Sequence, residues 1–396
     1  MQRLQFFAAR IVCFAASGAA LLWSVASAAD PAHDLSPELA KIRAVQAKGE
    51  GNRDASLAMK KVSQADAAAL PIIIAAMDGA EPLVENWIRA AAEAVAQKQV
   101  DAGKPLPVAQ LELFLKDTRH SPRGRRLAFE LIAQQDKTAP ERLIPTLLND
   151  PSLELRREAV AKALDDAAKI SAQPTAVKMY QNALTAARDL DQIKAASAKL
   201  KDLGEKANVP THMGFITTWH IVGPFDNVDD AGWDVAYPPE KGVDLTAKYA
   251  GQKEEIGWIS HTSTDEFGIV DLTKALDKHK GAVAYAYTEF LSDKDQPADF
   301  RLGSINANKL WVNGKELTAN HVYHAGIQVD QYNSKGELKA GKNTILIKVC
   351  QNEQKEMWAQ DWKFQLRVCD AIGTAILSTD RPTVRTSALP GSTLLK

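Results

Sequence analysis

Aromatic side chains divide this 396-residue chain into two unequal parts. Between Ala29 and Pro210 there are four, Trp87, Phe114, Phe129 and Tyr180; from Thr211 to the end there are eighteen. The first part is rich in Ala, Leu, Lys and Glu, which lose little conformational freedom in a helix. The second is rich in Val, Ile, Thr, Tyr and Trp, which suit a pleated, half-buried surface. The chain therefore reads as a helical part followed by a β part. The boundary falls near residues 208–213, where Pro210 and Gly214 punctuate the sequence.

The charge balance, 48 basic against 49 acidic residues, offers no basic excess, so nucleic acid is not expected as a partner. Arg3 and Arg10 flank an apolar run over residues 11–25 that is short for a membrane span. Ala26-Ser27-Ala28 follows with the small-x-small pattern of a cleavage site. Residues 1–28 are thus expected to be a secretory leader, and the mature chain to be periplasmic or extracellular with no membrane span. The expected division is a linker and first helix over 29–63, helical repeats over 64–207, a β-sandwich over 214–373 and a flexible tail over 374–396.

Apolar stripes at helical spacing recur through the first part. Leu143, Ile144, Leu147 and Leu148 form one, and Leu155, Ala159, Ala163 and Leu164 the next, with Asp150-Pro151 breaking the chain between them. The same plan precedes Asp78 and Asp117, at intervals of thirty-odd residues, which suits stacked helical hairpins that bury their apolar faces only against neighbours. These residues resemble HEAT repeats, an α-solenoid family in which a turn Asp and an Arg in the second helix tie repeats together. The resemblance implies that Asp78, Asp117 and Asp150 and Arg89, Arg126 and Arg156 or Arg157 fill those positions, and that the solenoid offers a surface to a protein partner. A further pair carries Val177, Tyr180, Leu184 and Ala187, then Leu190, Ile193, Leu200 and Leu203. It either caps the repeats and docks on the β part or is the last repeat.

In the second part, alternation marks strands at 215–222, 257–260, 283–291, 300–303, 309–312, 326–329, 344–350 and 362–369. Asn313-Gly314 between apolar alternations is a hairpin signal, because both central residues of such a turn take positive φ. About eight antiparallel strands in a segment of this length fit a jelly-roll sandwich. The hairpin Trp311-x-Asn313-Gly314, with the later Gly341-x-Asn343, resembles the galactose-binding-like jelly roll of the sugar-binding domain of family-two glycoside hydrolases. Trp219-x-Ile-Val-Gly-Pro-Phe-Asp-Asn227, Tyr237-Pro-Pro-Glu240 and Tyr249 are similar to the β-domain of a group of secreted bacterial proteins. That group carries an acidic pair after Gly303-Ser304, where this chain has Ile305-Asn306-Ala307. The resemblance implies an accessory module that binds or packs.

Trp233, Tyr237, Trp358 and Trp362, with Asp361, are the candidates for stacking on a glycan, because an aromatic ring gives a pyranose a flat apolar face while polar edges fix its hydroxyls. Trp219, Trp258 and Trp311 lie in strand patterns and are expected in the core. Asp226, Asn227, Asp229 and Asp230 are rich in oxygen, and the resemblance implies a structural calcium there. His321-x-x-His324 has two metal-ligand nitrogens but no third ligand fixed by pattern. Cys350 and Cys369 end consecutive strand candidates; if those strands pair, the thiols lie about 20 Å apart and stay free. No Gly-x-Ser-x-Gly, His-Glu-x-x-His or phosphate-loop motif is present. The sequence thus points to an exported, non-catalytic binding protein. The alternatives are a purely structural envelope component and an accessory to polysaccharide degradation.

Overall fold

A computed structural model describes residues 34–381. The leader assigned to residues 1–28 lies outside the described residues, as do 382–396. Eleven helices precede the first strand: α1 (Ser36–Arg43), α2 (Asn52–Val62), α3 (Leu70–Ala75), α4 (Pro82–Asp101), α5 (Val108–Lys116), α6 (Pro122–Gln135), α7 (Ala139–Leu143), α8 (Leu153–Ala168), α9 (Gln173–Ala186), α10 (Leu190–Asp202) and α11 (Val209–Met213). Pro82, Pro122 and Pro174 stand in first turns, where the missing N–H costs nothing. Helices α2, α4, α6, α8 and α10 pack side by side in chain order. Within the expected linker, residues 34–63 are packed: α1 and α2 form a pair, and Leu39, Ile42, Ala55 and Val62 join the same core as Ile73, Ile88, Leu115 and Leu127.

The polar ties between successive helix pairs differ in part from the expected set. Asp150 receives both terminal nitrogens of Arg125, and the pair is almost fully buried. Arg156 donates to the Asp150 and Asn149 carbonyls. Asp78 accepts from the Ser121 amide at 2.7 Å and meets the His120 ring. Asp117 is spent locally on Arg119. The buried arginine of α6 is therefore Arg125; Arg126, one residue along, faces outward to Glu130 and Glu158. One step in a helix turns a side chain by about 100°, which separates a core position from a surface one.

The β part contains β1 (Thr218–Asp226), β2 (Lys248–Ala250), β3 (Glu255–Gly257), β4 (Ile259–Thr262), β5 (Val270–Asp271), β6 (Ala282–Ser292), β7 (Gln296–Ser304), β8 (Ala307–Val312), β9 (Lys315–Asn320), β10 (Tyr332–Leu338), β11 (Gly341–Gln351) and β12 (Lys363–Cys369), with short helices α12 (Pro238–Lys241) and α13 (Leu272–Leu276). Six strands form one antiparallel sheet in the order β4-β1-β6-β11-β8-β9, four form a second, β10-β7-β12-β5, and β2 pairs with β3 apart from both. Between the two larger sheets lies a core of Trp219, Phe290, Phe300, Ile347, Trp362 and Phe364. The two sequence motifs lock onto each other. Asn313 and Gly314 take positive φ between β8 and β9; the Asn313 amide donates to Asn343 Oδ1 at 2.8 Å, and its Oδ1 accepts from the Thr344 amide.

Three other expectations need correction. Residues 326–329 are not a strand; the pairing falls to β10, whose Tyr-Asn-Ser-Lys-Gly-Glu-Leu sequence hides among polar residues. Residues 374–381 are not a loose tail: Ile376 donates to the Val368 carbonyl, Thr379 to that of Leu291, and the nearly buried Ser378 accepts from the Leu291 amide. Strands β11 and β12 belong to opposite sheets, so the premise of the cysteine argument fails, although both thiols are free and buried.

The two parts share a third core. Tyr180, Leu184, Ile193 and Leu200 of α9 and α10 pack with Met213, Phe215, Phe267 and Val329. Gly214, at φ 80°, closes α11 so tightly that a Cβ would stand 2.4 Å from the Val368 carbonyl oxygen. Arg367 then joins the parts by polar bonds: it pairs with Asp330 and donates to the Met213 carbonyl.

Candidate functional site

The outer face of the six-stranded sheet carries an apolar cluster of its own. Phe225, Tyr285, Tyr287 and Leu346 are buried there, and the loop from Asn227 to Lys241 covers part of this face by laying Tyr237 against Phe225 and Tyr285. That loop needs an anchor, and Lys348 supplies it. Lys348 lies on β11 with no exposed side-chain surface, and its ammonium donates to the Trp233 and Val235 carbonyls, at 3.1 and 2.8 Å, and to Glu240 at 2.9 Å. Tyr285 donates its hydroxyl to the same Glu240 carboxylate. Burial, then Glu240, pushes that phenol well above its ordinary range. A buried charge persists only when paired and hydrogen-bonded, so this cluster fixes the loop's course.

The loop places Trp233 half-buried against His321, ring on ring at 4.3 Å and 3° between planes, with Lys309 Nζ 4.4 Å from its centroid. His321 Nε2 lies 2.6 Å from Asp230 Oδ2. Tyr323 donates to the other Asp230 oxygen, and burial followed by that carboxylate raises its pKa strongly. Tyr323 leads to His324, and His324 meets Trp358 edge-on at 5.0 Å and 89°. His324 Nε2 donates to Asn352 Oδ1 at 3.1 Å. A continuous row of rings thus runs Trp233, His321, Tyr323, His324, Trp358, with residues 321–324 as the bridge between two loops. Trp358, 61% exposed, ends the row beside Met357, 92% exposed.

The candidate residues separate accordingly. Trp233 and Trp358 belong to one row. Tyr237 does not face outward: it stacks on Phe225 at 4.6 Å and donates to the Asp226 carbonyl. Asp361 is exposed and pairs with Lys363 at 2.7 Å. Trp362 must be withdrawn as a ligand-facing ring, because it is 1% exposed, lies between the sheets and donates its indole N–H to the Val349 carbonyl. Conversely, Trp258 and Trp311, expected in the core with Trp219, pack half-buried on the outer face. The row's two histidines gave a signal only as a metal pair. The Nε2 of His321 is directed instead to Asp230 and that of His324 to Asn352, while His324 Nδ1 is buried without a partner.

The proposed calcium residues do not form a shared oxygen cage. Asn227 is fully buried and its amide donates to Tyr323 and the Gln351 carbonyl. Asp230 spends both oxygens on Tyr323 and His321. The Asp229 amide donates to Glu353 at 2.6 Å. Among the described residues no three His, Cys, Asp or Glu side chains converge to hold a metal ion. No helix of the described residues is long and apolar enough to cross a membrane.

No protein-family model matches the chain, and no curated protein matches it. A β-glucosidase from Kluyveromyces marxianus has 11% identity over 43% of this chain and 21% of its own, with a TM-score of 0.26. The same enzyme in complex with glucose has 10% identity over 71% and 36%, at 0.26. A family GH31 α-xylosidase from Xanthomonas citri has 11% over 40% and 18%, at 0.21. The chain is similar to these enzymes only at that level, spans from 18% to 36% of their lengths, and takes no chemistry from them.

Proposed function

We propose that the protein is an exported, non-catalytic binding protein, with a saccharide site at the loop end of its sandwich and a protein-docking surface on its row of helices. The observation that carries the saccharide reading is Trp358. Its ring is the one aromatic among the exposed large hydrophobics of the described residues, and His324 supports it at the end of a row anchored in the sheet. A rigid, solvent-facing indole with Asn352, Gln354 and Asp361 on neighbouring loop positions suits the apolar face and hydroxyl rim of a sugar. The HEAT resemblance and the ordered side-by-side packing of the helices support a solenoid that docks a partner.

Calorimetric titration of the mature chain with a panel of oligosaccharides tests the saccharide site. At least one glycan should bind, and Trp358→Ala should weaken it at least about tenfold, as for a Trp at the centre of a contact. Silence across the panel with folded protein, or binding indifferent to Trp358→Ala, removes the site. One observation favours a second reading: Met357 beside Trp358 makes an apolar pair that fits a protein surface, as a structural envelope component would need.

A further inference from the structure

A groove of about 700 Å³ lies between α6, α8 and α10. Its apolar lining is Ala161, Leu164 and Ala195. Along one wall Glu154, Glu158 and Asp165 stand with Ala161 at spacings of four and three residues, which aligns them on one face of α8. The two arginines that line the groove are already committed. Arg126 pairs with Glu130 and Glu158, and Arg157 pairs with Asp189 at 3.2 Å and Asp191 at 2.6 Å. Among the described residues no cation pairs with Glu154 or Asp165. Gln192, 6% exposed, also lines the groove; its amide nitrogen donates to the Arg157 carbonyl at 2.8 Å, and its Oε1 has no partner. A second groove of about 470 Å³ continues along α4 and α6, shares Glu130 and adds Glu93.

The uncommitted polar groups are therefore acceptors, standing over small apolar side chains. A matching ligand needs cationic donors on apolar stems, and those stems need a continuous track rather than a single hole. Lysine and arginine side chains have that form. We propose that this groove docks an extended lysine- or arginine-rich segment of a partner protein. The proposal rests on the reading of the helical row as a docking surface and specifies its partner.

The test is fluorescence anisotropy of the full mature chain with a labelled short peptide of alternating lysine and alanine. A peptide with glutamate in place of lysine is the control. The lysine peptide should bind, and more weakly as salt rises, because exposed charge pairs are screened. The double variant Glu154→Gln, Asp165→Asn should bind it about threefold or more weakly, from the loss of two exposed charges. Ala161→Trp, at an exposed position, should block the groove with an unchanged melting curve. Equal binding of the two peptides, or a double variant that binds like the parent, overturns the basic-segment proposal. If Ala161→Trp still blocks both peptides in that case, the docking surface stands. If neither peptide binds and Ala161→Trp changes nothing, the docking surface falls as well.

Discussion

The helical and β parts solve one problem with different materials. The helices build their interior from Ala, Leu, Ile and Val, and their rigidity comes from a few buried polar ties, above all Arg125 with Asp150. The sandwich packs rings on both faces of its large sheet and uses one buried cation, Lys348, to pin a covering loop. Small aliphatic residues pack closely but carry little direction, so register between helix pairs needs charge. Aromatic rings carry their own geometry, so in the sandwich buried charge is concentrated where the covering loop crosses the sheet and where Arg367 meets Asp330 at the joint.

The sharpest test of this contrast sets two tryptophans four positions apart against each other. Trp362→Ala should cost about 3–5 kcal/mol in chemical denaturation, as for a fully buried ring; an intact midpoint would mean that the inter-sheet core is not where stability lies. Arg125→Met should cost about 3 kcal/mol by leaving Asp150 buried and unpaired, with less loss in the double variant Arg125→Met, Asp150→Leu. A loss of only a few tenths would make the helical part another purely apolar stack.

At the junction, burial holds the His212 imidazole down to about 4 from its usual 6.5, and Arg188 and Arg367 add to the effect. Below 6.5 the unfolded chain binds a proton that the folded chain refuses, so stability is full above that pH and falls toward about 4. The loss should reach about 3 kcal/mol, from about 2.5 pH units at about 1.4 kcal/mol each. His212→Gln should flatten that slope, and an unchanged slope would place the titrating group elsewhere. The smallest effect belongs to Trp358→Ala, which should shift stability by less than about 0.5 kcal/mol whatever it does to binding.

Much of this was readable in the residues. The Asn313-Gly314 turn, the helix-to-strand change and the strands 283–291, 309–312 and 344–350 follow from local chemistry that tertiary contacts do not overrule. Trp362 was readable too: it shares the parity of Phe364, Leu366 and Val368, which all face the core. Its place beside Trp358 and Asp361 also made it a stacking candidate, and the alternation decides between the two. Trp311 alternates with the buried Leu310 and Val312 and so had to face outward. The ring row was not readable, because His321 and His324 meet Trp233 and Trp358 only through contacts remote in sequence. Nothing local marks Lys348 as buried; a lysine between Ile347 and Val349 reads as the solvent side of a strand until a covering loop is known.

The shared core at Phe215, Phe267 and Val329 has a mechanical consequence. With α9 and α10 packed against the sandwich and Arg367 bonded across the joint, there is no slack linker at which one part can swing. The molecule is a bracket: whatever grips its helical arm is held at a set distance and angle from whatever rests on Trp358.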